Sequence, residues 1–577
     1  MVLCASTSAT TATAAAPAYR YLLKEKRHHA PRAERFHRRV GAAPPDALHT
    51  IVFAVKQRNA TKLRQTFEAV SDPRSQLYGK FLSYEEVGQL IENKEGTKAV
   101  TTWLAAEQVS DVTAHPHGEY ITARATVATW NRLLRIDLHE HASADGRRIY
   151  RGTEYHLPAH VHPHVSAAFY TVHLPHPSRP RAMRVQANVQ ASSGTVAPAA
   201  LNSYYNIASN DASAKGHAQS LYESLNQNYS PDDLNQFQSQ FSIPARKIAK
   251  DVGAHNMSIN CVMNPNNCGE ANLDVQYLMA VAQNVDTWFW YSTESSFAAW
   301  IVAVADTANP PLVQSISYGG YETETPQSLK DQFSTEAQKL GVQGVSIVIA
   351  SGDDGVSNFE ARTDPKQCGY HPSWPATSPF ATAVGATEGP ESGKDVTVCS
   401  TANGVNQGYA HATLITSGGG FSDAFAAPSY QTAAIANYFK TAKTAYGQGY
   451  NTTGRGYPDV GMLGHSYEVV IAGKTYLVDG TSAAAPVFAG VLSLVNSARI
   501  AKGKSPVGFA NTALYQLASS NPEAFLDVTT GANNCCGDAS PLNCCSDAGF
   551  YAAAGWDPVT GLGGVDVAKL TAAWVAL

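Results

Sequence analysis

Beyond residue 300 the chain alternates short apolar runs with helical patterns. Residues 312–317, 345–351 and 381–384 read as buried strands, and 328–341 and 482–496 as helices. Strand, helix, strand within one body needs crossover connections, so the expected class is α/β, a parallel sheet with helices on both faces. In such a sheet, ligand-contacting residues gather at the carboxyl ends of the strands. The apolar run 483–495 is too short for a membrane span and is interrupted by Pro486, so no span is expected.

The front of the chain is built differently. Strand patterns at 49–55, 109–114, 120–126 and 136–141 mix with helical ones at 60–70, 94–106 and around Trp130, and Ser83-Tyr-Glu-Glu forms a capping box. This predicts a compact α+β domain behind a basic tail at 20–39. The formal net charge of −5 is the difference of two unlike parts. Residues 1–189 hold 25 Lys and Arg against 16 Asp and Glu, a balance of +9, and the remainder stands at −14. Fourteen of the 19 histidines lie in the front part. Its charges are interleaved with apolar strand-like runs, which argues against a nucleic-acid partner.

Of nine cysteines, eight follow residue 260: Cys261, Cys268, Cys368, Cys399, Cys535, Cys536, Cys544 and Cys545. Neither C-x₂-C nor interleaved His occurs, so disulfides in an oxidising compartment are favoured over metal binding, with the pairing left open. Sequons at Asn59, Asn228, Asn256 and Asn451 make these glycosylation candidates. The Ala/Thr-rich start at 1–17 shows neither a basic region nor a solid apolar run, so no signal peptide is evident in it.

Three strings carry chemistry. Gly480-Thr481-Ser482-Ala-Ala-Ala-Pro486 places a serine in a small-residue turn at a helix N-terminus, where N–H groups point outward to meet an oxyanion; taken alone, Ser482 is also an ordinary N-cap. No His-Gly-Thr string supplies a histidine base. Glu270 and Asp274, spaced i, i+4, lie on one helix face and can share a proton, although a solvated acidic face has the same pattern. Asp353, in Ser351-Gly-Asp-Asp-Gly355, follows the 345–351 strand, where an Asp-Gly turn is the plain alternative.

Together with further strings, these resemble the sedolisin family of serine-carboxyl peptidases, and within it the lysosomal tripeptidyl-peptidases. The strings are Asp72-Pro-Arg-Ser with Ser83-Tyr-Glu-Glu-Val, Leu273-Asp-Val-Gln-Tyr-Leu-Met, Ser315-Ile-Ser-Tyr-Gly, Ala350-Ser-Gly-Asp, Ser417-Gly-Gly-Gly-Phe-Ser, Gly456-Tyr-Pro-Asp-Val, the Ser482 turn and Gly555-Trp-Asp-Pro-Val-Thr-Gly. The resemblance implies a subtilisin-like catalytic domain over 199–577 and a ferredoxin-like activation propiece of pro-kumamolisin type over 40–175. A linker cut on maturation would occupy 176–198, and 1–39 would be a tail left from targeting.

By the same resemblance Ser482 is the nucleophile, Glu270 the general base, Asp274 its orienting carboxylate and Asp353 the oxyanion-hole acid. Ser315, Ser317, Gly319, Gly418 and Gly419 would line the substrate cleft. One Ca²⁺ ion per subunit would be held by Asp527 and Asp557 and by the carbonyls of Val528, Ala553 and Gly555. Asp479 and Asp354 stand where relatives generally carry Ser, which predicts an extra acid near the nucleophile. The implied activity is acid-activated peptide hydrolysis with release of tripeptides; the alternatives are an acid endopeptidase and an inactive, chaperone-like binding relative. Substrates would be peptides or unfolded proteins, the propiece an intramolecular inhibitor, and the location a lysosome, another acidic vesicle or the extracellular space. The propiece histidines, among them His156, His160, His162 and His164, would charge in acid and weaken its attraction to the acidic body.

Overall fold

The computed structural model describes residues 19–143, 146–175, 183–185, 194–293, 296–403, 409–442, 449–538 and 542–577. Cys4, His176, the 1–17 start and most of the 176–198 linker lie outside the described residues. The chain forms two compact bodies. One comprises Met1–Arg27, His37–Gln57 and Asn93–His173, the other His28–Phe36, Arg58–Glu92 and Leu174–Leu577.

The first body is α+β. Its antiparallel sheet runs in the order Asp111–Ala114, Tyr120–Thr126, Leu48–Val55, Val165–Phe169. Asn93 and Thr126 cap the helices Lys94–Ala106 and Val127–Leu133 by accepting from Gly96 N and Thr129 N. Each helix contributes a buried tryptophan, Trp103 and Trp130, whose rings meet Phe53 with centroids 5.8 and 6.0 Å away.

The basic stretch at 20–39 is not a tail. Tyr21–Lys26 pairs with Glu154–Pro158, Pro31–Phe36 is a helix, and His37–Ala42 pairs with His139–Ser143. Arg27 is structural: it donates to the carbonyls of Val172 and Gly152, partners too distant in sequence to be read locally.

In the second body a mostly parallel sheet runs Lys250–Val252, Asp286–Tyr291, Ala218–Glu223, Val313–Ile316, Ser346–Ala350, Thr382–Glu388, with Thr397–Val398 antiparallel at the end and Val460–Leu463 also on Thr382–Glu388. Side chains alternate between its faces. Val348 and Ala350 join the cluster containing the helices Gly269–Val281 and Thr481–Ala501, while Ile347 and Ile349 join that of Phe297–Ala305 and Gln327–Gly341. Helix Thr481–Ala501 is long and apolar enough to cross a membrane, but it is a core helix, with 89% of its apolar window buried in the protein. It lies so close to Gly269–Val281 that a Cβ on Gly490 would stand 2.7 Å from Val281 Cβ. The helices Ala60–Ser71 and Tyr84–Ile91, the latter opened by the Ser83 capping box, pack Leu63, Phe67 and Ile91 around Val342 and Phe509. The linker residues Met183–Val185 pair antiparallel with Lys474–Val478, whose other neighbour is Tyr467–Ile471.

Six cysteines form the disulfides Cys261–Cys268, Cys368–Cys545 and Cys535–Cys544. Cys399 and Cys536 are buried and reduced, so not all eight later cysteines are paired.

The strand pair behind the Ser482 turn is pinned by a buried cluster. Gly480 N donates to Gly464 O at 2.8 Å, and Asp479 accepts from Ser466 N and Leu414 N, each at 2.7 Å. Asp479 thus anchors two backbone segments instead of supplying a spare acid. Between Gly464 and Ser466, His465 sits fully buried with Nδ1 2.8 Å from Glu391 and 4.0 Å from Glu388. The three side chains have the composition of a metal centre, with ligating atoms within 4.8 Å. Both ring nitrogens are nevertheless engaged, Nδ1 with Glu391 and Nε2 with the Ser466 hydroxyl at 3.1 Å, so both bonds would have to be given up to a metal ion.

Burial opposes the charge on His465, but the hydrogen bond to Glu391 and the carboxylates of Asp479 and Glu388 raise it to about 9. Burial also lifts Glu388 to about 7. A folded-state value above the ordinary 6.5 means that the His465 contribution is complete below pH 6.5 and is lost as pH rises through 9. Thermal melts of the full chain between pH 6 and 9.5 should show this loss, on the order of 2–3 kcal/mol, and His465→Gln should flatten it.

Candidate active site

The strand Ser346–Ala350 ends at Ser351-Gly352-Asp353, beside the N-terminus of the helix Thr481–Ala501. There the first N–H groups have no partner within the helix. Asp353 Oδ1 accepts from both Thr481 N and Thr481 Oγ1 at 2.8 Å, and the same hydroxyl accepts from Gly352 N at 3.1 Å. The neighbouring strand Val313–Ile316 ends at Ser317, whose carbonyl accepts the Ser482 hydroxyl at 2.9 Å. Ser482 is fully buried.

Glu270 and Asp274 lie in the first turns of Gly269–Val281, directly after the Cys261–Cys268 disulfide. Glu270 N donates to Gln227 Oε1 at 3.1 Å, and Asp274 is fully buried. Tyr318 joins them, its hydroxyl 2.5 Å from Glu223 Oε2. Burial, with the charges of Glu223, Glu270 and Asp274, holds that phenol well above 10, so it stays a donor. A cavity of about 480 Å³ opens here, lined among others by Glu270, Ser317, Gly319, Asp353, Phe359 and His371. Two predicted acids and two predicted cleft residues therefore share one space at the carboxyl ends of adjacent strands.

The other cleft candidates shape the surroundings. Ser315 is buried within its strand. Gly418 donates to Gly352 O at 2.7 Å, and a Cβ there would meet Ser351 O at 2.6 Å. Gly419 leaves similarly little room, against Pro558 O. Asp354 does not add free acidity to the site: Arg362 grips it with Nε and Nη2 at 2.5 and 3.0 Å, and Gly537 N donates to it at 2.9 Å. Burial still raises its carboxyl, against the pull of Arg362. Gln227, Glu223, Tyr318, Thr481 and Arg362 escaped sequence reading; of these, only Tyr318 and Thr481 fall inside motif strings.

The calcium candidates converge on one loop. Asp557 is fully buried, and accepts from Ala553 N at 3.0 Å, Val559 N at 2.9 Å and Thr560 N at 2.8 Å; Gly555 N donates to Asp527 at 2.9 Å. Burial pushes Asp557 up to about 7 and raises Asp527 as well. One fully buried carboxylate and one exposed one thus meet the same 553–560 turn, and paired acids of this kind suit a hard cation.

Among the sequons, Asn59 and Asn256 are exposed, while Asn451 donates to Ser422 O at 2.9 Å. Asn228 does not qualify as a glycan site in the folded chain: it is 2% exposed and donates to Asn226 O.

Residues 37–173 match the profile described as the pro-kumamolisin activation domain, and residues 287–507 that of the subtilase family. Physarolisin of Physarum polycephalum is 33% identical over 92% of this chain and 94% of its own length. Tripeptidyl-peptidase 1 of Rattus norvegicus is 31% identical, and that of Homo sapiens 30%, each over 91% of both chains. In fold, the chain resembles Pseudomonas sedolisin, a serine-carboxyl proteinase solved with pseudo-iodotyrostatin, with a TM-score of 0.51 and 23% identity over 66% of this chain and 98% of that one. With a serine at the helix N-terminus, carboxylates around the adjoining cavity and full-length relatives of this kind, the chain belongs to the sedolisin family of serine-carboxyl peptidases.

Proposed function

We propose that this peptidase cleaves peptides in acid by the combined action of Ser482, Glu270, Asp274 and Asp353, and that it releases tripeptides from free N-termini. The observation that carries the reading is the shared cavity: Glu270 and Asp353 line it together with Ser317, whose carbonyl holds the Ser482 hydroxyl. Glu270 takes the Ser482 proton as Oγ attacks the peptide carbonyl carbon. The resulting oxyanion is met by the backbone N–H of Ser482 and by protonated Asp353, whose Thr481 bonds occupy Oδ1 and leave the proton to Oδ2. The C–N bond then breaks as the leaving amine takes the proton from Glu270. Water hydrolyses the acyl ester by the same exchange in reverse roles. A carboxylate base works where a histidine would already be protonated, and a carboxylic acid donates to an oxyanion only while it keeps its proton; both conditions favour acid.

Tripeptide release rests on the similarity to the tripeptidyl-peptidases over nearly the whole chain. The pro-kumamolisin match over residues 37–173 supports a propiece that acts as an intramolecular inhibitor; boundaries near 40 and 175 and a maturation cut within 176–198 are part of the same reading. Burial holds the propiece histidines His49 and His141 down at about 4, so these two stay neutral until the medium is strongly acid. An acidic vesicle or the extracellular space suits such a zymogen, and three disulfides favour an oxidising compartment. For calcium, Asp527, Asp557 and the carbonyls of Val528, Ala553 and Gly555 would hold one ion, which would neutralise two carboxylates, Asp557 fully buried and Asp527 exposed, and fix the loop between them.

Acid-treated full chain should cleave a tripeptide-coumarin with a free amine and leave the N-blocked substrate intact; cleavage of both indicates endopeptidase action, and of neither a binding protein. Ser482→Ala should abolish turnover, and Glu270→Gln and Asp353→Asn should each lower kcat by about 100-fold or more. His371→Gln should leave a working enzyme, whereas complete loss would make that cavity histidine the base. Calcium at about 100 times its Kd should stabilise the fold by about 2.7 kcal/mol in chelator-controlled melts, a gain that Asp557→Asn should remove.

A further inference from the structure

The second body contains a buried cationic side chain from the N-terminal segment that catalysis does not explain. Arg32, in the helix Pro31–Phe36, places its guanidinium 3.2 Å above the Tyr321 ring centre, with Nη1 2.5 Å from Glu324 and Nε 3.0 Å from Glu360. Side-chain exposures are 12% for Arg32, 6% for Glu324 and 22% for Glu360. Arg35 reaches Glu360 from the exposed side at 2.9 Å, and the His28 ring lies 2.7 Å from Thr323 O. Among the described residues, Arg32 is the one cation within ion-pair distance of Glu324.

This cage adjoins the catalytic cavity. The Tyr321 ring contacts Phe359 and His371, both cavity-lining, at 5.6 Å each. Gly320–Tyr321 continues directly from Ser317–Gly319, the segment that holds the Ser482 hydroxyl, and pairs with Ser373–Trp374. A planar cation between two carboxylates and over an aromatic face is bound by charge, hydrogen-bond geometry and ring quadrupole together. Removing that cation leaves two poorly solvated carboxylates that must find another partner or a proton.

We propose that Tyr321, Glu324 and Glu360 form a substrate subsite for a cationic side chain, arginine above all, which Arg32 fills in the full-length chain. The inference rests on the peptidase reading above and adds a specificity to it. Arg32 is then a substrate mimic supplied by the chain's own N-terminal segment.

The test uses acid-activated full chain and free-amine peptides carrying Arg, its neutral isostere citrulline, or Leu at each position flanking the scissile bond, assayed at the highest pH that gives turnover. At one position Arg should exceed citrulline at least ten-fold in kcat/KM, chiefly through KM. In Glu324→Gln/Glu360→Gln that ratio should fall below two, whatever the substitutions do to overall turnover. A ratio near one at every position while Leu peptides are cleaved overturns the subsite alone, as does a ratio that survives in the variant. No cleavage of any peptide overturns the catalytic reading, and the subsite with it. A second measurement needs no variant: a synthetic peptide of residues 26–37 should inhibit the activated enzyme at least ten-fold better than the same peptide with citrulline replacing Arg32, and equal inhibition overturns the proposal.

Discussion

The site depends on one carboxylate at one helix end. Asp353 accepts two hydrogen bonds from Thr481, and the Thr481 hydroxyl in turn accepts from Gly352, so the strand Ser346–Ala350 and the helix Thr481–Ala501 are joined at their tips. A helix N-terminus offers N–H groups with no partner of their own, and one oxygen of Asp353 takes one of them. Placing an acid there fixes the position of Ser482 relative to the sheet, and keeps that acid in the wall of the cavity. The close approach at Gly490 and Val281 brings the Glu270 helix alongside the Ser482 helix, so the two helices that carry the candidate residues hang from one packed core.

Much of this was legible locally. Val313–Ile316 and Ser346–Ala350 announce themselves as apolar runs, Gln327–Gly341 as a helical pattern, and the Ser482 turn as a string of small residues before a long apolar stretch. What could not be read is what depends on residues distant in sequence. The basic stretch at 20–39 looks like a tail because its partners, the strands at Glu154–Pro158 and His139–Ser143, lie more than a hundred residues on. Asp354 reads as a free acid until Arg362 is folded against it, and Asp479 as a neighbour of the nucleophile until Leu414 and Ser466 claim its oxygens. The sequon at Asn228 is a sound pattern in a buried place.

Charge plays three distinct parts in the molecule. Arg362 and Asp354 neutralise each other at the cavity wall; His465, Glu388 and Glu391 form a buried cluster behind the reactive turn; Asp527 and Asp557 keep two acids on one loop. The first two groupings carry their own counter-ions, which offset part of the cost of burying them. The third does not, and that asymmetry separates a structural ion pair from a place suited to an external cation.

The short strand Met183–Val185 occupies one side of Lys474–Val478, and Tyr467–Ile471 the other. A cut that frees the linker would turn an inner strand into an edge, exposing a row of unpaired backbone donors and acceptors immediately upstream of the Gly480-Thr481-Ser482 turn.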